Sequence, residues 1–272
     1  MSGRVLPLQG STAPWSSGAV TDSSYCVLAP NASPATLDGT NTWLLTGPDS
    51  DAVVVVDPGP DDPLHLASVR DLAAARGGVA LVLLTHGHVD HSESARAFGE
   101  SMGVPVRALD PEHQLGAEGL RGGDVIDLGG WTLDIVGTPG HSADSVSIVV
   151  PHDGSVLTGD TVLGRGSSLV AWPDGRLGDY LDSLRRLREL VDLEQVARIL
   201  PGHGPALDDP GRAIDDYLEH RMQRLAEVGA VVASGVTDPR SIVEIVYADV
   251  PVAVWPYAEL TVRAQLDFLA AH

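Results

Sequence analysis

The densest group of metal-binding side chain types follows an apolar run at residues 79–84. Three histidines and an aspartate fall within six positions there, at His86, His88, Asp90 and His91. If the strand direction continues past the apolar run, His86 and His88 point to the same side of the chain. Imidazole nitrogens and carboxylate oxygens are ligands that zinc and similar cations prefer. The run therefore predicts a metal site, and Gly87 leaves room for the backbone to pass close to it.

Three further turns carry a side chain of the same kind directly after an apolar run. They contain His141, Asp160 and His203, each beside a glycine. Binding and catalytic residues gather in loops at the ends of strands. One histidine beside a glycine is an ordinary loop residue, but four such loops together predict a single shared site.

These residues together resemble the metallo-beta-lactamase superfamily over roughly residues 40–205. The resemblance implies an α/β fold, an αββα sandwich of two sheets between helices, with the site at one edge of the sheets. It implies, as metal ligands, His86, His88 and His141 for a first ion, Asp90, His91 and His203 for a second, and Asp160 as a bridge between them. Asp57, in the turn after residues 52–56, matches the acidic residue that supports the site from behind.

The chemistry implied by the resemblance is metal-dependent hydrolysis. Two divalent ions roughly 3.5–4 Å apart share one water and lower its pKa, which gives a bridging hydroxide at working pH. One ion also polarises the carbonyl or phosphoryl oxygen under attack. Asp90 is implied as a catalytic residue that orients the hydroxide and shuttles a proton. Zinc is the expected metal, while iron and manganese accept the same ligands.

The elements that position these residues follow from the apolar periodicity. Strands are predicted at 19–28, 40–45, 52–56, 79–84, 106–109, 125–128, 131–136, 145–150, 155–157 and 196–200. Helices are predicted at 64–76, 92–98, 177–191, 213–232, 239–248 and 258–271. This order predicts a mixed α/β sandwich. Only helices follow the last strand, so we predict a catalytic domain at 1–207 and a small helical, winged-helix-like domain at 208–272.

Composition excludes several kinds of chemistry. The chain has a net charge of −20 and no lysine, which opposes loose binding to nucleic acid and rules out a lysine nucleophile. Cys26 is the only cysteine, so neither an internal disulfide nor a thiolate zinc site is expected. The apolar runs are too short to span a membrane, and residues 1–15 do not resemble a signal peptide. A cytoplasmic location follows as the expectation; the sequence leaves the oligomeric state open.

Within the superfamily, the chain most resembles the beta-lactamase-like-protein-2 group, which is similar to glyoxalase II in its core. The matching features are residues 41–44, 142–145, 159–164 and 178–184 and the His220-Arg221 pair. This group includes thioesterases and endoribonucleases. A small acyl ester or thioester suits the acidic segment after residue 207, which has eleven Asp or Glu against five Arg. We therefore favour the acyl substrate.

Single-stranded RNA is the rival substrate. Its phosphates would meet four arginines predicted to lie near the site, at Arg165, Arg176, Arg185 and Arg186. A lactamase-like amide hydrolase and a non-enzymatic regulator are further alternatives. The complete set of five histidines and two aspartates argues against a regulator, because a binding domain has no chemical need for all seven.

A substrate cleft is predicted beside the loop at residues 164–174, which follows Asp160. Its composition of glycine, serine and proline is typical of an irregular loop. We expect Leu169, Trp172 and Tyr180 to line this cleft.

Overall fold

The computed structural model describes residues 13–271, and most of the leader interpreted above as lacking a signal peptide lies outside these residues. Two mixed sheets form the centre of the fold. The first sheet contains β1 (Gly18–Ala19), β2 (Ser24–Leu28), β3 (Asn41–Thr46), β4 (Val53–Val56), β5 (Val79–Leu83) and β6 (Val106–Arg107), in that order. β1 to β4 pair antiparallel, whereas β4, β5 and β6 pair parallel.

The second sheet contains the remaining strands. They are β7 (Val125–Asp127), β8 (Thr132–Gly137), β9 (Val146–Val150), β10 (Ser155–Gly159) and β11 (Arg198–Pro201), with the order β11-β10-β9-β8-β7. β7 to β10 form an antiparallel meander, and β11 joins β10 in parallel.

Seven α-helices accompany the sheets in the described residues. They are α1 (Pro63–Ala74), α2 (Val89–Ser92), α3 (Ala95–Met102), α4 (Leu177–Asp192), α5 (Pro210–Ala233), α6 (Pro239–Val246) and α7 (Trp255–Ala271). Short 3-10 turns lie at Pro111–His113 and Val252–Val254. No helix in this part of the chain is long and apolar enough to cross a membrane.

The layer order follows from how β4 is buried. Its four valines alternate between two clusters, as side chains on a strand must. Val54 and Val56 face the core between the sheets, where they join Trp43 and Leu157. The other two valines pack outward in the cluster that includes α1 and α3. On the opposite side α4 covers the second sheet. The predicted αββα sandwich is therefore confirmed.

Several predicted elements differ from those observed, three of them in the first sheet and the helices that follow β5. The strand expected at 19–28 is two strands, because backbone hydrogen bonds to Ser24 O close a turn at residues 20–24. The helix expected at 92–98 is a pair of helices, α2 and α3. The strand expected at 106–109 is limited to Val106–Arg107.

The segment after residue 207 contains helices joined by short turns, and no strand, in its described part. α5 begins at Pro210, capped by the Asp209 carboxylate, and packs along α4. α6 and α7 close a separate apolar cluster against the end of α5. The boundary at 207 therefore falls just before α5 and stays a prediction.

We predict that His220 on α5 makes stability depend on pH. Burial, and then the charges of Arg221 and Arg224, lower the pKa of His220 from 6.5 to about 4. The unfolded chain takes up this proton near pH 6.5, so its share of stability is present above that pH and is lost as pH falls toward 4. Denaturant titrations between pH 4 and 7 should show a flatter dependence for His220→Gln. The same slope in both proteins would refute this.

Candidate metal centre

The side chains singled out from the sequence meet at one edge of the two sheets. Parallel pairing brings the ends of β4 and β5 to this edge, and likewise the ends of β10 and β11. Backbone bonds join the sheets at the same place. Val146 N donates to Thr85 O at 2.8 Å, and Asn41 N donates to Gly202 O at 2.8 Å. The metal-binding loops are therefore tied to each other across the sandwich.

The first group of possible ligands is formed by His86, His88 and His141. His88 Nδ1 lies 3.1 Å from His86 Nε2 and 2.9 Å from His141 Nε2. The outer nitrogens of two rings are occupied: His141 Nδ1 donates to Leu169 O at 2.7 Å, and His86 Nδ1 lies 3.0 Å from the Thr85 hydroxyl. Their Nε2 lone pairs consequently point inward, where one cation can meet all three rings.

The second group is formed by Asp90, His91 and His203. Asp90 Oδ2 lies 3.2 Å from His203 Nε2, which is 3.3 Å from His91 Nε2. His203 Nδ1 donates to Gly39 O at 3.1 Å. His91 Nδ1 donates to an oxygen of the Asp57 carboxylate at 2.9 Å. Both Nε2 atoms again face inward.

Asp160 lies between the two groups. Its Oδ1 is 3.4 Å from His91 Nε2, and its Oδ2 is 3.3 Å from His203 Nε2 and 3.8 Å from His141 Nε2. The carboxylate therefore reaches both groups, and together with His86 and His91 it also makes a third possible ligand set.

The contacts within this centre fit a divalent cation better than hydrogen bonds. Asp160 Oδ1 is buried without a hydrogen-bond partner among the described residues. The Nε2 atoms of His91 and His203 face each other, although the hydrogen of each ring is donated through Nδ1 elsewhere. Facing lone pairs need a cation between them, and imidazole with carboxylate is a suitable donor set for zinc. The residues present therefore fit a metal.

The electrostatics of the centre also suit a cation. Burial, reinforced by neighbouring His91 and His141, lowers the pKa of His86 well below its ordinary range, so this imidazole is neutral as a ligand must be. Burial opposes ionisation of Asp160, but His203 and His91 hold its pKa well below 3.8. Burial likewise opposes the charge of His203, yet Asp160 raises the pKa of His203 to about 9, so that without a metal a proton takes the place of the cation, and metal binding would release it. The carboxylates thus create a negative potential that attracts positive charge.

Asp57 supports the centre as expected from the sequence. Its carboxylate accepts bonds from Thr85 N at 2.8 Å and the Thr85 hydroxyl at 2.7 Å, besides that from His91. The backbone of Asp57 has a φ of 52°, a left-handed conformation that is uncommon outside glycine. Thr42 fixes this turn from behind by donating to Asp57 O, and accepts in turn from His65.

The three residues expected to line a cleft are not equivalent in the structure. Leu169 is half-buried, and its carbonyl accepts from His141. Trp172 is 39% exposed. Tyr180 is fully buried, and its hydroxyl donates to Thr161 O at 2.6 Å. Tyr180 thus lies in the core behind the loop at 164–174 rather than on an open surface, because its position on α4 faces the second sheet.

Several residues near the centre were not singled out from the sequence. Thr85 and His65 lie behind the site, and His65 appears in the sequence only as an isolated histidine. Thr42 lies there too, and the sequence marked it only as part of the matching stretch 41–44. Asp174 Oδ2 approaches His88 Nε2 at 3.9 Å from the loop at 164–174. A Cβ atom on Gly87 would lie 2.7 Å from His113 Nε2. Asp144 Oδ2 would lie 3.1 Å from the same atom, so a larger residue at this position would require both side chains to move.

A cavity of about 320 Å³ adjoins the metal-binding loop and was also missed. Its walls include Gly87, Val89, Arg96 and His113. Its lining residues come from two nearby stretches, 87–96 and 112–113, and the sequence gives no sign that the two stretches face each other.

Comparisons with known proteins agree with this architecture. Residues 35–203 match the metallo-beta-lactamase superfamily, and residues 239–272 match the beta-lactamase associated winged helix domain. The chain therefore belongs to the metallo-beta-lactamase superfamily, whose members are mostly hydrolases.

Relatives cover most of the chain. A beta-lactamase-like protein 2 homolog from Caenorhabditis elegans is 30% identical over 247 residues, which are 86% of this chain and 80% of the relative. The Drosophila melanogaster homolog is 27% identical and covers 92% of this chain and 88% of its own length. A metallo-beta-lactamase family protein from Thermus thermophilus has a TM-score of 0.76 at 21% identity, covering 93% and 95% of the two chains. That likeness shows the fold alone.

We predict that Asp57→Asn weakens zinc binding by about 10- to 100-fold, the usual effect of losing a partner that orients a ligand. The amide cannot accept from Thr85 and His91 as the carboxylate does. Competition with a chromophoric chelator measures the affinity. Asp71→Asn, at an exposed position on α1, is the matched control and should bind zinc like the wild type. Equal affinity of Asp57→Asn and the wild type would contradict the role of Asp57.

Proposed function

We propose that the chain is a dinuclear metal-dependent hydrolase that acts on a small acyl ester or thioester. The observation that carries this proposal is the position of Asp160 between two groups of inward-facing ligands. A carboxylate that reaches both groups is suited to bridge two ions. Zinc fits the imidazole-rich donor set best, while iron and manganese accept it as well.

When bound, a pair of divalent ions supplies an activated water near neutral pH and polarises the carbonyl under attack. The remaining steps, orienting the water and transferring its proton, depend on residues of the chain itself. Asp90 is partly open to solvent, unlike the buried His91 and His203 beside it. Burial opposes its ionisation, but His203 and His91 lower the pKa of Asp90 below 3.8. Its carboxylate can therefore orient the attacking water, accept a proton and return it to the leaving group.

The surroundings of the four arginines favour an acyl substrate over RNA. Arg165 pairs with Asp38 at 2.5 Å, Arg185 with Asp182 at 2.7 Å and Arg176 with Asp267 at 3.8 Å. Arg186 donates to the carbonyl of Gly137. Three of the four guanidiniums lie beside a carboxylate, which offsets part of the positive charge that phosphates would need. The net charge of −20 opposes a polyanion further.

A substrate panel separates the alternatives. Zinc-loaded protein is given acyl-thioesters, acyl esters, a beta-lactam and a labelled single-stranded RNA. We expect thioester or ester turnover, and a loss of more than about 100-fold in Asp160→Asn, because this ligand faces both ion positions. Asp71→Asn is the control with wild-type turnover. RNA cleavage would establish the endoribonuclease and beta-lactam cleavage the amide hydrolase, whereas no turnover of any of these substrates would contradict the proposed activity.

We expect Trp172 to contact the acyl chain from the loop at 164–174. Burying such a side chain against substrate is worth roughly 1.5–3 kcal/mol, so Trp172→Ala should raise KM by about 10-fold or more. Zinc content and kcat should stay near those of the wild type. Tyr257→Ala, an exposed aromatic on α7, is the matched control. An unchanged KM for Trp172→Ala would exclude Trp172 from the cleft.

A further inference from the structure

The C-terminal segment contacts the loop that follows Asp160 through one face of α5. Tyr217 and Arg221 are four residues apart and therefore neighbours on the helix surface. Both side chains are buried. The Tyr217 hydroxyl donates to Gly166 O at 3.0 Å and accepts from Leu163 N at 3.0 Å. Arg221 Nη2 donates to Ser168 O. α5 thus holds the backbone of residues 163–168 at three points.

That stretch of backbone is bonded directly to two of the candidate metal ligands. The hydroxyl of Ser168 donates to Asp160 O at 2.5 Å. The next carbonyl, Leu169 O, accepts the Nδ1 hydrogen of His141 at 2.7 Å. The direction of His141 Nε2 therefore depends on where Leu169 O lies, and Arg221 holds the peptide immediately before it.

The charge of Arg221 is not explained by stability. Its guanidinium is buried, its Nε has no hydrogen-bond partner, and no carboxylate within 4 Å pairs with it in residues 13–271. Its carbon Cζ lies 4.9 Å from the centre of the Tyr180 ring, which offsets part of the cost. A buried charge without an ionic partner is otherwise unfavourable compared with an apolar side chain of similar volume. The free-energy cost of burying this charge indicates that the guanidinium has a function at the Ser168 carbonyl.

We propose that Arg221 is a positioning residue for the metal centre. It fixes the 168–169 peptide, which aims His141 Nε2 at the first ligand group and steadies the backbone of Asp160. Through Arg221, the C-terminal segment then helps to position the metal ligands. This inference rests on the metal binding in the proposed function, and it is independent of the substrate.

The test compares two buried arginines on the same helix. Arg224 lies one turn further along α5 and is also buried, but it bonds to Glu227 and Val246 O, away from the loop. Metal-free protein is titrated with zinc against a chelator of known affinity. Arg221→Met should bind the first zinc about 10-fold more weakly, as expected for a lost orienting contact. Arg224→Met should keep wild-type affinity, and Arg221→Lys, which retains a charged donor, should recover part of the loss.

Tyr217→Phe provides a second route if Arg221→Met does not fold. It removes a single hydroxyl that holds the same loop, and we expect a several-fold loss of zinc affinity with the fold intact by circular dichroism. Equal weakening in Arg221→Met and Arg224→Met would mean a general structural effect and would overturn the proposal. Wild-type affinity in both Arg221→Met and Tyr217→Phe would overturn it too. Failure of the wild type itself to bind zinc, iron or manganese would instead reject the proposed function, and with it this inference.

Discussion

Asp160 imposes the constraint on which the rest of the site depends. Its Oδ1 is buried without a hydrogen-bond donor among residues 13–271, and its carboxylate lies between imidazole rings whose lone pairs point inward. A buried carboxylate is costly unless cations or hydrogen bonds compensate it. The surrounding loops are bonded in ways that keep the imidazoles available for a cation: His141 to Leu169 O, His203 to Gly39 O and His91 to Asp57.

The sandwich makes this arrangement possible by joining loops that are far apart in sequence. β5 provides the histidine run, and β10 and β11 provide Asp160 and His203. Hydrogen bonds between the sheets, such as that from Asn41 Nδ2 to Pro201 O at 2.9 Å, lock the two halves in register. The relative positions of the ligands are thus set by the core and not by the loops alone. α5 also helps to set these positions, because it bonds to the loop after Asp160 from outside the sandwich.

Much of the fold and of the candidate site was predictable from the sequence because the signals are local. The valines of β4 and the apolar run of β5 predicted buried strands, and the spacing from His86 to His91 predicted a metal-binding loop. Apart from the role of Asp57, the supporting contacts were not predictable. Thr42, His65 and Arg221 act through partners that tertiary packing brings to them, and the family resemblance marked Thr42 and Arg221 without indicating these contacts. Tyr180 was expected to line the cleft together with the loop at 164–174, but helical periodicity turns its side chain toward the core.

The number of metal ions per chain tests the account most directly. Protein saturated with zinc and freed of excess ions should contain about two per chain by inductively coupled plasma mass spectrometry, since two ligand groups share one carboxylate. His203→Ala, which removes a ligand of the second group only, should lower the count to about one. A folded wild-type protein that retains one ion or none would contradict the dinuclear centre.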